Sequence, residues 1–233
     1  MVQNVLITGV GSGIGKALAD AFVARNATVY GISRRAAAPI GAENFHYLAL
    51  DLSAVERIAP ALERFLADVE RLDLVVLNAG VLGEIKEMTE TALHEIEAVM
   101  RVNVWANKVI LDTLIGWNIA VAQVVGISSG AAVNASREWG PYSLSKSALN
   151  TMLRLYAREM PGTHLTALAP GVIDTPMVRH IVEEVDEVKY PSAARLKKGP
   201  ILSPEDAAKR LIEAFEKVKT FESGSFLDVR TMK

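Results

Sequence analysis

Tyr142 and Lys146 lie four residues apart, a spacing at which the lysine charge could change the acidity of the tyrosine. Residues four apart on a helix lie on one face, with their Cβ atoms roughly 5–6 Å apart. A neighbouring cation favours the phenolate form and lowers the pKa of a tyrosine from its usual value of about 10. A tyrosine tuned in this way could pass a proton to or from a substrate oxygen near neutral pH. Because the same spacing also occurs on solvated helix faces, its interpretation depends on the rest of the chain.

The composition favours one α/β domain and excludes several kinds of site. Half of the 233 residues are hydrophobic and 6% are aromatic, as expected for a sheet packed by helices rich in Ala, Leu and Val. The absence of cysteine excludes disulfides, thiol catalysis and cysteine-based zinc sites. None of the four histidines is spaced as a helical metal pair, so no metal site is expected. The formal net charge is −2 and basic residues form no block, so nucleic acid is not an expected partner.

The hydropathy pattern predicts no membrane anchor. No apolar run reaches about 18 residues, and the N-terminus lacks the charged start and long apolar core of a signal peptide. We therefore expect a cytoplasmic protein that binds a small molecule and does not associate with a membrane.

A glycine-rich loop follows the first predicted strand, Val5–Ile7. A P-loop is excluded because Val10 replaces its first glycine and Ala17 its Ser/Thr, and G-x-G-x-x-G fails at Ile14. The remaining pattern is T-G-x-x-x-G-x-G. Its glycines allow close approach of a ligand, and the amides of the following helix attract phosphate. The loop therefore predicts a dinucleotide pyrophosphate site formed by Gly9, Gly11, Ser12, Gly13, Ile14 and Gly15.

The end of the second predicted strand, Thr28–Ile32, indicates which dinucleotide binds. NAD sites usually place Asp or Glu at this position, whereas arginine accommodates a 2′-phosphate. The chain has Ser33, Arg34 and Arg35 there and no carboxylate. Arginine suits a phosphate because of its fork of donors and its permanent charge. We therefore expect NADP(H), the alternative being that both arginines are merely solvated.

Further polar and glycine-containing segments follow the other predicted strands. Asp51-Leu52 follows strand 46–50, Asn78-Ala79-Gly80 follows 73–77, and Ser129 follows 120–127. Ligands of open α/β sheets bind at the carboxyl ends of the strands, so these segments should share one rim. The repeated alternation of strands and helices predicts a single Rossmann-type doubly wound parallel sheet, flanked by helices on both faces, in one domain over residues 1–233.

The predicted helices place the remaining candidates. We expect helices over Ser53–Val69, with Ser53 as N-cap, over 89–102 and 104–116, joined at Asn103, over 142–158, and over 204–219, with Ser203 as N-cap. Asn103 could be a helix break or a polar anchor in the core. Residues 176–203 have weak periodicity and mixed charge, which predicts a mobile lid over a substrate cleft.

These motifs together resemble the short-chain dehydrogenase/reductase family. They occur in one order: Thr8-Gly9-x-x-x-Gly13-Ile14-Gly15, Asn78-Ala79-Gly80, Asn103, Ser129, Tyr142-x-x-x-Lys146 and Pro170-Gly171. The resemblance implies that Tyr142 is the general acid/base, that Lys146 lowers its pKa and binds the nicotinamide ribose, and that Ser129 binds the substrate carbonyl. It also implies a water held by Asn103 and further cofactor contacts from Asp51, Leu52, Asn78, Ala79, Gly80, Pro170, Gly171, Ile173 and Thr175.

A finer resemblance concerns the C-terminus. Residues 223–229 look like the end of sepiapterin reductases and related benzil-type carbonyl reductases. In sepiapterin reductases an aspartate at the position of Asp228 anchors the pterin. The alternative for Asp228 is a surface aspartate that ends the last strand. The leading hypothesis is an NADP(H)-dependent carbonyl reductase of a ketone or diketone.

Two other functions are compatible with part of the sequence. Gly126–Gly130 matches G-x-S-x-G, the signature of a serine hydrolase with Ser128 as nucleophile, but the later histidines His164 and His180 pair poorly with an acid. A regulatory protein that binds cofactor without catalysis would keep the fold, although such a protein would normally have lost part of the Ser–Tyr–Lys set.

The resemblance further implies a homodimer or homotetramer that pairs helices 104–116 and 142–158. Their apolar residues Val109, Leu149, Met152 and Leu153 could serve either the core or the interface. The positions of four other side chains in the linker and lid suggest a substrate pocket for an apolar or aromatic compound: Arg137, Trp139, Met177 and Tyr190.

Overall fold

The computed structural model describes residues 3–35, 41–186 and 188–232, and a seven-stranded parallel sheet lies at its centre. The sheet order is β3-β2-β1-β5-β7-β8-β9, while a separate ladder pairs β4 with β6. The strands are β1 (Asn4–Thr8), β2 (Thr28–Ser33), β3 (Phe45–Ala49), β4 (Arg71–Leu72), β5 (Leu74–Leu77), β6 (Ala120–Val121), β7 (Gln123–Ile127), β8 (His164–Ala169) and β9 (Phe226–Asp228).

Helices cover both faces of this sheet. They are α1 (Gly13–Val23), α2 (Ile58–Phe65), α3 (Leu93–Met100), α4 (Ala106–Gly116), α5 (Ala131–Asn134), α6 (Gly140–Glu159), α7 (Pro176–Glu184), α8 (Pro191–Lys198) and α9 (Pro204–Lys217). Apolar side chains of α1 and α9 form the core on one face, and those of α2, α4 and α6 form the core on the other. The predicted doubly wound sheet is confirmed.

The central strands are apolar along their whole length because both sheet faces are covered. Val5, Leu6 and Ile7 of β1 are fully buried, as are Val75 and Val76 of β5. Parallel strands buried on both sides have this continuous apolar character. Their carboxyl ends consequently lie together at one edge, where the loops carry the polar candidates.

One predicted helix begins later than expected. A 3₁₀ turn covers Val55–Arg57, and α2 runs only from Ile58 to Phe65. Ser53 is not its N-cap, since Arg57 occupies that position; the Ser53 N–H instead donates to Asp51 Oδ1 at 2.9 Å. Pro60 explains the late start: proline is tolerated in the first turn of a helix, and a helix starting at residue 54 would place it in the interior.

The two helical stretches that meet at Asn103 form one continuous rod. A π-helical turn, Arg101–Trp105, joins α3 to α4, and Asn103 is fully buried within it. Such wide turns inside α-helices are often found at functional sites. Asn103 is therefore a polar anchor within a widened turn and does not break the helix.

The predicted lid contains α7 and α8. Thr175 caps α7 by accepting a hydrogen bond from the Val178 N–H at 3.3 Å. The lid's end is also capped as predicted, because Ser203 Oγ accepts from the Asp206 N–H at 3.1 Å and Pro204 begins α9. The mobility of this segment remains a prediction. No helix in the described part of the chain is both long enough and apolar enough to cross a membrane.

Candidate functional site

A cleft of about 980 Å³ opens at the carboxyl ends of the strands. Nearly all predicted cofactor residues line it, together with Ser129, Tyr142 and Lys146. Two candidates, Gly15 and Asn103, are buried and do not line it. The rim therefore brings together segments that lie far apart in the sequence, as expected for strand ends in a parallel sheet.

The glycine loop can follow its path only because side chains are absent. Gly9 has φ +78°, and a Cβ on Gly15 would lie 2.3 Å from the Gly9 carbonyl oxygen. The loop is tied to β2 by the Gly9 N–H, which donates to the Ile32 carbonyl at 2.7 Å. Ser12, the N-cap of α1, makes no side-chain capping hydrogen bond, so its own side chain does not cap the N-terminus of this helix. An uncapped helix start beside close-packed glycines fits the pyrophosphate of a dinucleotide.

Thr8 and Asn78 hold the ends of β1 and β5 together. Thr8 Oγ1 accepts hydrogen bonds from the Asn78 N–H at 2.9 Å and the Ala79 N–H at 3.0 Å. The Asn78 side chain donates in return to the Thr8 carbonyl at 2.9 Å. Asn78 therefore shapes the rim between two loops that both face the cleft.

Two arginines extend from the end of β2 into solvent. Arg34 and Arg35 are exposed and line the cleft, and neither forms an ion pair within the described residues. The Ser33 hydroxyl fixes the turn by donating to the Arg35 carbonyl. Asp51 lies near Arg34, and its pKa is lowered mainly because the backbone and side chain of Ser53 donate hydrogen bonds to it. The guanidinium groups remain available for a phosphate.

Tyr142 lies in the first turns of α6 and faces the cleft. Burial raises its pKa to about 12, although a hydrogen bond with Ser129 acts in the lowering direction. The direction is opposite to the one predicted from Lys146. The loss of water around the phenol dominates, and Lys146 Nζ lies 5.6 Å from the centre of the ring while donating to another acceptor.

That acceptor is the carbonyl oxygen of Ile127, at 2.7 Å from Lys146 Nζ. Lys146 is only 3% exposed, and burial lowers its pKa to about 8. Gly80 lies beside this ammonium: a Cβ there would be in ordinary contact with Nζ, at 3.6 Å, and in tight contact with Asn103 Oδ1, at 3.3 Å. The ammonium is held by the end of β7, beside the space that the cleft offers to a ligand.

Ser129 and Ser128 have different surroundings although they are neighbours. Ser129 Oγ accepts from the Ala131 N–H at 3.1 Å and lines the cleft, so its own proton can be donated to a ligand. Ser128 is 2% exposed and donates to Asn150 Oδ1 at 2.6 Å. His164 contacts the Phe221 carbonyl at 3.1 Å. Ser128 is therefore engaged with an amide, and within the described residues it has no hydrogen bond to a histidine of the kind a hydrolase nucleophile needs.

Asn103 connects the loop after β5 to the helix that carries Tyr142. Its Oδ1 accepts from the Val81 N–H at 2.8 Å, while its Nδ2 donates to the Val81 carbonyl and to Ser145 Oγ, both at 2.9 Å. Ser145 Oγ in turn donates to the Tyr142 carbonyl at 2.7 Å. The side chain thus positions the site, and a water relay through Asn103 stays a prediction.

The segment after β8 completes the opposite wall. Leu202 bonds to the Val172 carbonyl and the Asp174 N–H, so the N–H and carbonyl of Ile173 point to the other side, toward the cleft that Ile173 lines. Thr175 lies against the glycine loop, because a Cβ on Gly13 would be 3.0 Å from Thr175 Cγ2. Paired backbone groups at this place suit a carboxamide.

The four substrate-pocket candidates divide into two groups. Trp139 and Met177 line the cleft, whereas Arg137 and Tyr190 do not. Arg137 pairs with Glu87 at 2.9 Å on the surface, and Tyr190 is buried.

Asp228 does not line the cleft either, but Arg230, two residues later, does. The sequence reasoning missed Arg230, Asn134 and Ser136. The only sequence signal for them was their position just after a strand or in the linker before Tyr142.

The chain is similar to known proteins in sequence and in fold. A family model described as short chain dehydrogenase matches residues 3–186. Benzil reductase ((S)-benzoin forming) of Saccharomyces cerevisiae is 32% identical over 78% of this chain and 76% of the relative. The protein of the same description from Bacillus cereus is 26% identical, with 98% and 99% covered. The crystal structure of the KRED1-Pglu enzyme has a TM-score of 0.84 at 26% identity, and the match covers 96% of this chain and 99% of that one.

Proposed function

The chain belongs to the short-chain dehydrogenase/reductase family of NAD(P)(H)-dependent oxidoreductases, and on that premise we propose that it is an NADP(H)-dependent reductase of small ketones or diketones. The observation that carries the proposal is the position of two hydroxyl donors, Ser129 and Tyr142, in the cleft that also contains the glycine loop. The names of the benzil reductases support a diketone, because benzil has two adjacent carbonyl groups.

The residues have separate tasks in the proposed reaction. Bound NADPH supplies a hydride to the carbonyl carbon, which builds negative charge on the substrate oxygen. Tyr142 donates a proton to that oxygen, and its raised pKa keeps the phenol protonated at neutral pH. The Ser129 hydroxyl donates a hydrogen bond to the same oxygen. Lys146 provides a positive charge and binds the ribose hydroxyls.

Replacing Tyr142 by phenylalanine tests this assignment. Tyr142→Phe removes the proton donor and keeps the ring, so we expect kcat for ketone reduction to fall about 100-fold or more while the NADPH dissociation constant is unchanged. Tyr30→Phe, on β2 outside the cleft lining, serves as the control and should retain activity. Full turnover by Tyr142→Phe would refute the role of Tyr142.

Preference for NADPH over NADH rests on Arg34 and Arg35. Arg34→Ala removes a donor for the 2′-phosphate, so NADPH should bind about tenfold or more weakly, as expected for a lost charged hydrogen bond, while NADH binding changes little. Arg25→Ala, at an exposed position after α1, is the matched control. Equal weakening of both dinucleotides would contradict the proposed phosphate contact.

The alternative to catalysis is a protein that binds the cofactor without turning over a substrate. The complete set of Ser129, Tyr142 and Lys146 in one cleft favours catalysis. A protein that binds NADPH and yet turns over no member of a broad carbonyl and alcohol panel would favour the silent alternative.

A cytoplasmic location is part of this proposal and would be tested by fractionation of the source cells.

A further inference from the structure

The guanidinium of Arg230 lies beside the backbone that follows Ser129, and the proposed reaction gives it no role. Arg230 lines the cleft after the last strand, β9. Its Nη2 is 3.7 Å from the point where a Cβ on Gly130 would stand, and its Cδ is 3.7 Å from the corresponding point on Gly171. It therefore fills the space between the Ser129 loop and the Pro170 loop.

Asp228 fixes the direction of this side chain. Arg230 Nε donates to Asp228 Oδ1 at 2.9 Å, and Nη2 donates to Oδ2 at 2.6 Å. Among the described residues, the remaining N–H groups of the guanidinium have no hydrogen-bond partner and can be donated to a ligand. The Asp228 side chain is 16% exposed, whereas that of Arg230 is 52% exposed. The Asp228 carboxylate thus fixes the Arg230 side chain, and the guanidinium faces the opening of the cleft.

The local charge remains positive despite this ion pair. Arg210 donates to the Val229 carbonyl at 2.9 Å and also acts electrostatically on Asp228. Two guanidinium groups therefore accompany one carboxylate. A ligand oxygen with negative charge or a strong dipole would be attracted to this corner of the cleft.

A second donor lies at the same place. Asn134 Nδ2 is 3.5 Å from the point where a Cβ on Gly130 would stand, so Asn134 and Arg230 flank the residue after Ser129. The Asn134 side chain belongs to the last residue of α5 and lines the cleft. An amide N–H and a guanidinium N–H close to the same glycine offer two donors to an acceptor oxygen.

We propose that Arg230, assisted by Asn134, binds a second oxygen of the substrate, next to the carbonyl held by Ser129 and Tyr142. The substrate class is then a compound with two adjacent oxygen functions, either a 1,2-diketone or a 2-oxo acid. This inference rests on the proposed carbonyl reductase function and assigns Arg230 to substrate specificity.

A comparison of matched substrates tests the inference. 1-Phenyl-1,2-propanedione and propiophenone differ only in the second carbonyl, and benzoylformate replaces that group with a carboxylate. Arg230→Leu should lower kcat/KM for the dione or the oxo acid about 10- to 100-fold, as expected for a lost charged hydrogen bond, and leave propiophenone nearly unchanged. The more strongly affected of the two substrates identifies the class.

Arg71→Leu is a matched control, because Arg71 also pairs with an aspartate two residues away but lies at β4, away from the cleft. Arg71→Leu should not change the ratio of kcat/KM between these substrates. Arg230→Lys should restore part of the kcat/KM that Arg230→Leu loses for the dione or the oxo acid. An equal loss for all three substrates in Arg230→Leu, or no loss at all, would overturn the assignment.

A binding measurement separates this inference from the proposed function. Trp139 lines the cleft, so quenching of tryptophan fluorescence in the NADP⁺ complex can report occupancy without turnover. We expect Arg230→Leu to weaken binding of the dione or benzoylformate by the same factor. If the wild-type protein reduces none of these ketones, the reductase proposal fails, and an unchanged affinity in Arg230→Leu would independently refute the role of Arg230.

Discussion

Burial shifts the pKa values of Tyr142 and Lys146 in opposite directions, and in both cases it favours the neutral form of the side chain. It raises the pKa of Tyr142 to about 12 and lowers the pKa of Lys146 to about 8. A protonated phenol is the state that an acid needs for carbonyl reduction. Lys146 is therefore the member of the pair that changes charge near physiological pH, and its charge is maintained at the expense of folding stability.

The pH dependence of stability should reveal this cost. The folded-state pKa of Lys146 is about 8, below its ordinary value of 10.5, so between these values the unfolded chain binds more protons and stability rises with pH. Below pH 8 the penalty is fully present, on the order of 3 kcal/mol. Lys146→Met should therefore gain stability relative to wild type at pH 7 and lose that advantage by about pH 10.

Urea denaturation of both proteins from pH 7 to pH 10 measures this difference. Tyr142 affects both proteins alike and cancels in the comparison. Lys209→Met, at an exposed position on α9, shows what the loss of a surface lysine does alone. Parallel stability curves for wild type and Lys146→Met would mean that burial does not shift the pKa of Lys146.

At the scale of elements, the Asn103 side chain ties the π-helical turn between α3 and α4 to two other parts of the fold. Asn103 satisfies both backbone groups of Val81 and the Ser145 hydroxyl, and so ties the rim after β5 to α6. Asn107, one turn later, is equally buried but donates only to the Asn103 carbonyl, and its Oδ1 has no partner within the described residues. Asn103 should therefore contribute much more to the stability of the fold than Asn107.

A pair of leucine substitutions should show this difference. Asn103→Leu leaves several buried polar groups without partners, each costing about 1–3 kcal/mol. Asn107→Leu breaks one hydrogen bond but at the same time removes an amide oxygen that has no partner within the described residues, so it should cost less. We expect Asn103→Leu to lower the free energy of unfolding by about 2 kcal/mol more than Asn107→Leu. Urea unfolding at constant pH measures both, and equal losses would show that Asn103 does not tie these elements together.

The sequence predicted the elements whose signals are local. The cap at Ser203 with Pro204, the strand–helix alternation and the glycine loop follow from residues close together in the chain. The late start of α2 was also predictable, because Pro60 forbids a longer helix. The π-helical turn and the direction of the Tyr142 pKa were not, since they depend on how much water neighbouring elements exclude. Arg230 was missed because its role depends on contact with two distant loops.

At the scale of the whole molecule, the parallel sheet distributes positive charge along one cleft. Arg34 and Arg35 come from the end of β2, Lys146 lies beside the end of β7, and Arg230 follows β9. One aspartate of the cleft lining, Asp51, lies among them at the β3 end. The order of strands thus separates the proposed phosphate-binding end from the proposed substrate end, with the buried ammonium between them.

The outer faces of α4 and α6 carry apolar side chains that the core does not use. Leu149, Met152 and Leu153, considered for an interface, are buried in the core, and Val109 packs partly against it. Leu144 and Leu155 of α6 are instead 47% and 52% exposed, and Trp105 at the start of α4 is 45% exposed. Tyr156 donates to Asp112 between the same two helices, which holds these faces side by side.

We expect these faces to pair in a homodimer, because exposed leucine and tryptophan on adjoining helices gain free energy when removed from water. Sedimentation velocity should show a dimer for wild type and a monomer for the double variant Leu144→Glu/Leu155→Glu, since two facing copies would bury unpaired carboxylates. Leu93→Glu, at a 70% exposed position on α3, is the control for adding charge and should remain dimeric. A monomeric wild-type protein would reject the dimer, whereas a dimer in all three proteins would place the interface on another surface.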